Sequence, residues 1–134
     1  MAMTGRCYCG ALRYEAEGAP LFVAQCHCRE CQYLTGGGPN YFMLMPPQGF
    51  KFTQGTPKQF KRSDLPMGVT REFCATCGTH IITRTPDGLV VLKVGTLDDA
   101  SAYPGPQAAI QTADKRPWHL IAEGVATFER FPAR

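Results

Sequence analysis

The segment Cys74-Ala75-Thr76-Cys77-Gly78 places one thiol on either side of a tight turn. The segment Cys7-Tyr8-Cys9-Gly10, near the N-terminus, likewise has two closely spaced thiols followed by a glycine. A glycine after the second thiol allows the positive φ angle that the exit from such a turn requires. On a strand, residues two apart project from the same face, so the N-terminal pair can also converge. Tetrahedral zinc, with Zn–S distances of about 2.3 Å, needs sulfurs about 3.8 Å apart. The two pairs therefore predict one structural four-thiolate zinc site that fastens the N-terminus to the middle of the chain. Its expected ligands are Cys7, Cys9, Cys74 and Cys77.

A third group, Cys26-His27-Cys28-Arg29-Glu30-Cys31, carries three thiols within one short segment. These thiols can bind one face of a second zinc ion, and no residue in the sequence is an obvious fourth ligand. Catalytic zinc sites keep such an exchangeable position, where the metal acts as a Lewis acid or lowers the pKa of what binds to it. We therefore predict a catalytic zinc and leave open whether it is held permanently. Its expected ligands are Cys26, Cys28 and Cys31.

An inert second zinc site is the alternative, with a histidine as the fourth ligand. The candidates are His27, His80 and His119. His27 is the weakest of them, because on an extended backbone its side chain would point away from those of its two cysteine neighbours.

Disulfide bonds explain the cysteines less well than metal does. The count of seven is odd, and cysteines one or two residues apart would close loops too small to remove much entropy from the unfolded chain. No apolar run of signal-peptide length precedes Cys7, so we expect a reducing, cytoplasmic location. No apolar stretch approaches the ~20 residues of a membrane-spanning helix, so we expect no membrane association.

Charge agrees with two bound metal ions and argues against a nucleic-acid partner. The chain has 14 Lys and Arg against 11 Asp and Glu, a formal net charge of +3. Seven thiolates and two Zn²⁺ would bring this charge to zero. The densest basic group, Lys58, Lys61 and Arg62, is not the concentrated patch of a nucleic-acid binder, so we expect no nucleic-acid binding.

Short strands separated by glycine and proline dominate the predicted secondary structure. Leu12, Tyr14 and Ala16 alternate with charged residues, which is the pattern of a half-buried strand. Further strands are predicted at residues 22–25, 41–45, 58–61, 70–73, 80–84, 89–94, 118–122 and 125–128. Residues 29–35 can form one or two helical turns. We therefore predict a single domain over residues 1–134, an all-β sandwich with its cysteine groups at strand ends and in loops.

Four strings of residues, taken in order, carry a family resemblance. They are Gly5-x-Cys7-x-Cys9-Gly10, Cys26-His27-Cys28-x-x-Cys31, Phe73-Cys74-x-x-Cys77-Gly78 and Pro117-Trp118. Over nearly the whole chain this order resembles the glutathione-dependent formaldehyde-activating enzyme and centromere protein V family. The resemblance implies a tent-like all-β fold of short antiparallel strands, with a structural zinc on the first and third strings and a catalytic zinc on the second. It also implies a carbon-sulfur lyase that forms or cleaves S-(hydroxymethyl)glutathione.

The chemistry of the thiols supports that reaction independently. A thiol that enters the exchangeable position of the three-cysteine site would bind as thiolate, because the cation stabilises the charged form. An aldehyde carbon held nearby could then be attacked, and the reverse path would cleave the adduct. The expected partners are a small-molecule thiol such as glutathione and an aldehyde, with the oligomeric state left open.

Two other classes of function are weighed against the lyase. A non-catalytic module with two structural zinc ions could dock a protein or a nucleic acid through its β surface. A zinc-bearing redox enzyme would need a reactive cysteine beyond the metal ligands, and no cysteine follows Cys77.

Three features near the cysteines have open roles at this point. Arg29 either pairs with a substrate carboxylate or compensates thiolate charge. The run Gly36-Gly37-Gly38 is either a mobile rim of the site or a plain flexible loop. Trp118 is expected in the core.

Overall fold

The computed structural model describes residues 2–132. Strands make up 37% of the structure and helices 15%, which confirms the prediction of a mostly β fold. In chain order the strands are β1 (Ala2–Arg6), β2 (Arg13–Glu17), β3 (Phe22–Cys26), β4 (Asn40–Met45), β5 (Phe50–Gln54), β6 (Lys58–Phe60), β7 (Thr70–Phe73), β8 (His80–Arg84), β9 (Val90–Lys93), β10 (Ala108–Ile110) and β11 (Ala126–Thr127). The helix α1 (Arg29–Thr35) and short 3-10 turns complete the described secondary structure.

The chain forms two compact units. Residues 2–21 and 43–103 make up the first unit, and residues 22–42 and 104–132 make up the second. The four-cysteine group belongs to the first unit and the three-cysteine group to the second.

The first unit contains an antiparallel sheet in the order β1-β2-β5. Leu12, Tyr14 and Ala16 are buried at alternate positions, as the sequence pattern predicts. Cys7 follows β1 directly, and its backbone N–H donates to the carbonyl of Leu12 at 3.1 Å. The turn from β1 to β2 therefore holds Cys7 and Cys9.

Strands β6 to β9 of the first unit form an antiparallel meander in which each strand pairs with the next. The carboxylate of buried Glu72 accepts hydrogen bonds from Arg84 Nε at 2.6 Å and from Gln59 Nε2 at 2.9 Å, which fastens three neighbouring strands together. The turn between β7 and β8 is closed by the Cys74 N–H donating to the Thr79 carbonyl at 2.9 Å. This closure fixes the segment that carries Cys74 and Cys77.

The second unit is built on parallel pairing, a detail that the prediction of antiparallel strands did not contain. β10 lies parallel to both β3 and β11. The backbone N–H of His27 extends the first of these pairings by donating to the Ile110 carbonyl at 3.0 Å. β3 therefore delivers Cys26 to the start of the loop that leads into α1.

The predicted strand at residues 118–122 is wrong. This segment contains a turn in which the His119 N–H donates to the Arg116 carbonyl at 2.9 Å. Trp118 is 65% exposed rather than in the core, whereas His119 is buried. A hydrogen-bonded histidine, rather than apolar packing, fixes this segment. The hydrophobic pattern therefore predicts a strand that does not form here.

Gly5 offers a direct test of how the first unit packs. It faces Tyr14 in the β1–β2 register, and a Cβ at this position would overlap Tyr14 Oη and the carbonyl oxygen of Thr96. We expect Gly5→Ala to lower the free energy of unfolding by about 3 kcal/mol, because the buried ring has to shift. Gly95→Ala is the matched control, since nothing lies within 4 Å of a Cβ there. Urea unfolding of both zinc-loaded variants measures the difference, and equal midpoints would contradict this packing.

Candidate metal centres

The structure brings Cys7, Cys9, Cys74 and Cys77 together. Their four sulfur atoms all lie within 4.8 Å of one another. Cys9 Sγ is 3.7 Å from Cys7 Sγ and 3.7 Å from Cys74 Sγ. A tetrahedral zinc ion requires about 3.8 Å between its sulfur ligands, so this group can hold a metal ion and its dimensions fit zinc.

Backbone donors surround the sulfurs of this four-cysteine group. The Leu12 N–H donates to Cys7 Sγ at 3.2 Å, and the Thr76 N–H donates to Cys74 Sγ at 3.4 Å. Hydrogen bonds of this kind favour the charged form of a thiol. The turns therefore supply both the positions of the sulfurs and part of the stabilisation of their negative charge.

Cys77 has a hydroxyl donor in addition. Thr79 Oγ1 accepts from the Tyr8 N–H at 3.1 Å, which leaves its own proton free to point at Cys77 Sγ, 3.2 Å away. The Thr79 hydroxyl, together with backbone donors, lowers the pKa of Cys77 to about 5. Cys77 is thus prepared to act as a thiolate ligand at neutral pH.

The structure also brings Cys26, Cys28 and Cys31 together, with their sulfurs within 4.8 Å of one another. Cys26 ends β3, Cys28 is the N-cap of α1, and Cys31 lies in the first turn of that helix. The Cys31 N–H donates to Cys28 Sγ at 3.4 Å. Cys26 and Cys31 are 8% and 7% exposed, whereas Cys28 is partly exposed. One side of the three-cysteine group is therefore accessible.

The thiols of this group cannot all ionise by themselves. Hydrogen bonds from the neighbouring thiols of Cys26 and Cys31 lower the pKa of Cys28 to about 2. The same interaction with Cys28, together with Cys31 and burial, raises the pKa of Cys26. Three thiolates this close repel one another unless a cation compensates them, so the donor set fits a thiol-binding cation such as zinc.

No histidine or carboxylate joins the three-cysteine group within residues 2–132. His80, one of the proposed fourth ligands, lies on β8 in the first unit with its ring stacked on Phe73 at a centroid distance of 5.2 Å. Burial lowers the pKa of His80. The other two candidates, His27 and His119, bind each other instead.

The pairing of His27 with His119 determines the tautomer of each ring. His119 Nε2 lies 2.6 Å from the Gly37 carbonyl oxygen and therefore donates to it. His119 Nδ1 then accepts from the Arg116 N–H at 3.2 Å and from His27 Nδ1 at 3.0 Å. His27 Nε2 in turn accepts from the side-chain amide of Gln25 at 3.0 Å. Every ring nitrogen is occupied in the neutral form, so neither histidine is available as a metal ligand.

This histidine pair supports the backbone behind the three-cysteine group. Burial lowers the pKa of His27, and the neighbouring His119 ring and the Lys115 ammonium act in the same direction. Gln32 Nε2 donates to the His27 carbonyl at 3.0 Å and to the Asp114 carbonyl at 3.0 Å. The segment from Cys26 to Cys28 is thereby tied to α1 and to the loop that begins at Asp114.

Sequence reasoning missed this polar network. Two of its members lie far apart along the chain, since His27 and His119 have a sequence separation of 92 residues. The one sequence signal for this network was Gln25, a polar residue within the otherwise apolar strand segment before Cys26. Gln25 is 1% exposed, and a buried polar side chain needs hydrogen-bond partners.

A cavity of about 400 Å³ opens in the first unit beside Cys7, with Arg6 and Asp98 among its lining residues. Its lining contains none of the three cysteines of the second unit. This cavity therefore does not point to the three-cysteine group, which is recognised by the convergence of its sulfurs instead. Within residues 2–132, no helix has the length and hydropathy needed to cross a membrane.

Comparison with known proteins identifies a family and a similar fold. The model of the family described as glutathione-dependent formaldehyde-activating enzyme matches residues 2–114. A crystal structure of a Rhodobacter sphaeroides protein is similar to the chain with a TM-score of 0.61 and 18% sequence identity, and the match covers 78% of this chain and 98% of that one. At this identity the likeness concerns the fold alone. No curated protein matches the chain significantly.

Proposed function

Since the chain belongs to the glutathione-dependent formaldehyde-activating enzyme family, we propose that it is a zinc-dependent carbon-sulfur lyase and synthase of thiol-aldehyde adducts, with S-(hydroxymethyl)glutathione as the representative substrate. One observation carries the proposal: three converging cysteine sulfurs with no fourth protein ligand among residues 2–132. Structural zinc sites have four protein ligands, whereas catalytic sites keep one position for water or substrate.

The two cysteine groups have separate tasks in this proposal. The four-cysteine group of the first unit would hold a structural zinc ion. Cys26, Cys28 and Cys31 would hold the second ion, which supplies Lewis acidity and lowers the pKa of a thiol that approaches it. All seven cysteines belong to these two groups, which leaves no separate thiol for a redox reaction.

The residues of the chain prepare the site for this chemistry. Burial of Cys26 and Cys31 keeps water away from one side, and the partly exposed Cys28 marks the side that substrate can reach. The Cys31 N–H fixes the Cys28 sulfur at the start of α1. Gln32 holds the carbonyl of His27, so the loop between the first two thiols has a defined course. Positioning of this kind reduces the entropic cost of bringing a thiol and an aldehyde together.

The proposed reaction is balanced without an oxidant or a reductant. In the direction of synthesis, a carbon-sulfur bond forms between the thiol and the aldehyde carbon, and the thiol proton ends on the aldehyde oxygen. In the reverse direction that bond breaks and the hydroxyl proton returns to sulfur. The free thiols support a reducing compartment such as the cytoplasm as the place of this reaction.

Exchange NMR on mixtures of glutathione and formaldehyde tests the proposal. The adduct also forms without a catalyst, so only the exchange rate is informative. We expect zinc-loaded protein to accelerate exchange between free glutathione and the adduct relative to chelator-stripped protein. If zinc-loaded and chelator-stripped protein give equal exchange rates, both for glutathione and for other common low-molecular-weight thiols, the lyase is rejected. That result would favour a non-catalytic zinc-stabilised binding module.

A further inference from the structure

We propose that the cavity beside Cys7 in the first unit binds a small zwitterion of the α-amino acid type, with Arg6 holding its carboxylate and Asp98 its ammonium group. The cavity has a volume of about 400 Å³, which lies within the range of about 300–1,000 Å³ that is usual for small-molecule sites in proteins. The inference goes beyond the proposed lyase, because its site belongs to the first unit and the three-cysteine group belongs to the second.

Backbone hydrogen bonds hold the two segments that carry these charges. Arg6 ends β1, and Gly5, just before it, forms an isolated antiparallel bridge with Leu97. The Asp98 N–H donates to the Thr4 carbonyl at 3.0 Å, and the Thr4 hydroxyl donates to Asp98 Oδ2 at 2.8 Å. Both charged residues are therefore positioned by the fold before a ligand arrives, which lowers the entropic cost of binding.

The two charges that line this cavity are not paired with each other. Within the described residues, the guanidinium of Arg6 has no ion pair and no hydrogen bond, and Asp98 accepts a hydrogen bond at one of its two carboxylate oxygens. Arg13 lies directly opposite Arg6 in the register of β1 and β2. Like charges in such a cross-strand pair are unfavourable. The neighbouring strand thus adds a second cation, and Arg6 keeps its full capacity to bind a carboxylate.

The hydroxyl groups of Thr79 and Thr96, which also line the cavity, already have hydrogen-bond partners. Thr79 Oγ1 is bonded to the Tyr8 N–H and to Cys77 Sγ. Thr96 Oγ1 donates to a backbone carbonyl at 2.7 Å and lies 2.7 Å from the Tyr14 hydroxyl. Recognition of a ligand in this cavity therefore depends on the two charged side chains.

Gly95 and Tyr8 make the cavity accessible to a small ligand. Both residues belong to its lining, and nothing lies within 4 Å of the position that a Cβ of Gly95 would occupy. The side chain of Tyr8 is 88% exposed. The face of an aromatic ring attracts a cation, so Tyr8 can assist Asp98 in binding an ammonium group.

Opposite charges on one cavity select a ligand that carries both charges itself. A guanidinium presents a planar fork of donors that pairs with a carboxylate through two hydrogen bonds. A purely anionic ligand would meet the negative charge of Asp98, and a purely cationic ligand would meet the positive charge of Arg6. An α-amino acid offers a carboxylate to Arg6 and an ammonium group to Asp98 at the same time.

Three probes of similar size test this selection: L-alanine, propionate, which lacks the ammonium group, and ethylamine, which lacks the carboxylate. Each is titrated into the zinc-loaded full chain, and the backbone amide NMR signals of Tyr8 and Gly95 report on the cavity. We expect saturable shifts with L-alanine and at least about tenfold weaker binding of the other two probes. Arg6→Gln and Asp98→Asn should each weaken the binding of L-alanine by a similar factor.

Asp87→Asn is the matched control. Asp87 is an exposed aspartate of the first unit that also accepts from a threonine hydroxyl, and it does not line the cavity. This control should bind L-alanine as the wild type does. Asp98→Asn keeps an acceptor for the Thr4 hydroxyl, and the comparison of the three probes on the wild-type chain needs no variant. Shifts that do not saturate, equal binding of propionate or ethylamine, or wild-type binding in Asp98→Asn would overturn the inference.

Discussion

Cys77→Ser should yield a chain that no longer folds cooperatively and that loses the structural zinc. Metal binding to a four-thiolate site contributes about 10–16 kcal/mol, which is comparable to the total stability of about 5–15 kcal/mol of a typical domain. The site joins the turn after β1 to the turn after β7, and Cys9 and Cys74 have a sequence separation of 65 residues. Thermal unfolding followed by circular dichroism, together with zinc content per chain, measures the loss.

Thr76→Ser is the matched control for this experiment. Thr76 is exposed in the same turn, and its contact with the group is its backbone N–H to Cys74 Sγ, which the substitution keeps. We expect wild-type unfolding and wild-type zinc content. A Cys77→Ser protein that unfolds within a few degrees of the wild type would show that the four-cysteine group does not hold the first unit together.

Cys28→Ser should leave the fold intact while removing the reaction. Serine is a preferred N-cap residue, so its hydroxyl can replace the Cys28 sulfur as acceptor for the Cys31 N–H at the start of α1. The three-cysteine group, in contrast, loses one of its ligands. Since changes that only touch the surroundings of metal ligands already cost 10–100-fold, we expect the acceleration of adduct exchange to fall by at least about 100-fold.

The readouts for Cys28→Ser are exchange NMR, zinc content and thermal unfolding of one preparation. The expected combination is one zinc ion per chain, a melting transition close to that of the wild type and no acceleration above the uncatalysed rate. Ser101→Ala, which alters an exposed hydroxyl bonded to Asp99, is a control that should leave all three unchanged. If Cys28→Ser melts as badly as Cys77→Ser, both groups are structural and the proposed function is wrong.

Local pattern accounts for the parts of the fold that the sequence predicts. Alternation at Leu12, Tyr14 and Ala16 correctly predicts three buried side chains in and just before β2, and the helix predicted at residues 29–35 is α1. The strands predicted at residues 70–73 and 80–84 coincide with β7 and β8. The convergence of cysteines that are close in sequence follows from their spacing within turns, whereas the meeting of the Cys7 and Cys9 pair with the Cys74 and Cys77 pair was predicted from the four ligands that zinc requires.

Interactions between distant residues account for the parts that were missed. β10 has three buried residues and no alternation, so its identity as a strand depends on β3, which lies far away in sequence. Trp118 is apolar, yet its exposure follows from the hydrogen bonds of His119 rather than from hydropathy. The order of residues alone contains no information on which distant histidine His27 would meet. β5, with Phe50 and Phe52 in alternation, carried a pattern that would have predicted it.

The most direct test of the central claim is a zinc titration of the stripped protein, with the rate of glutathione-formaldehyde exchange recorded at each addition. Four thiolates bind zinc more tightly than three, so the first equivalent should restore the fold without accelerating exchange. Acceleration should rise between the first and the second equivalent and then level off. Exchange that reaches its full rate at one equivalent, or that does not respond to zinc at all, would contradict a catalytic zinc on Cys26, Cys28 and Cys31.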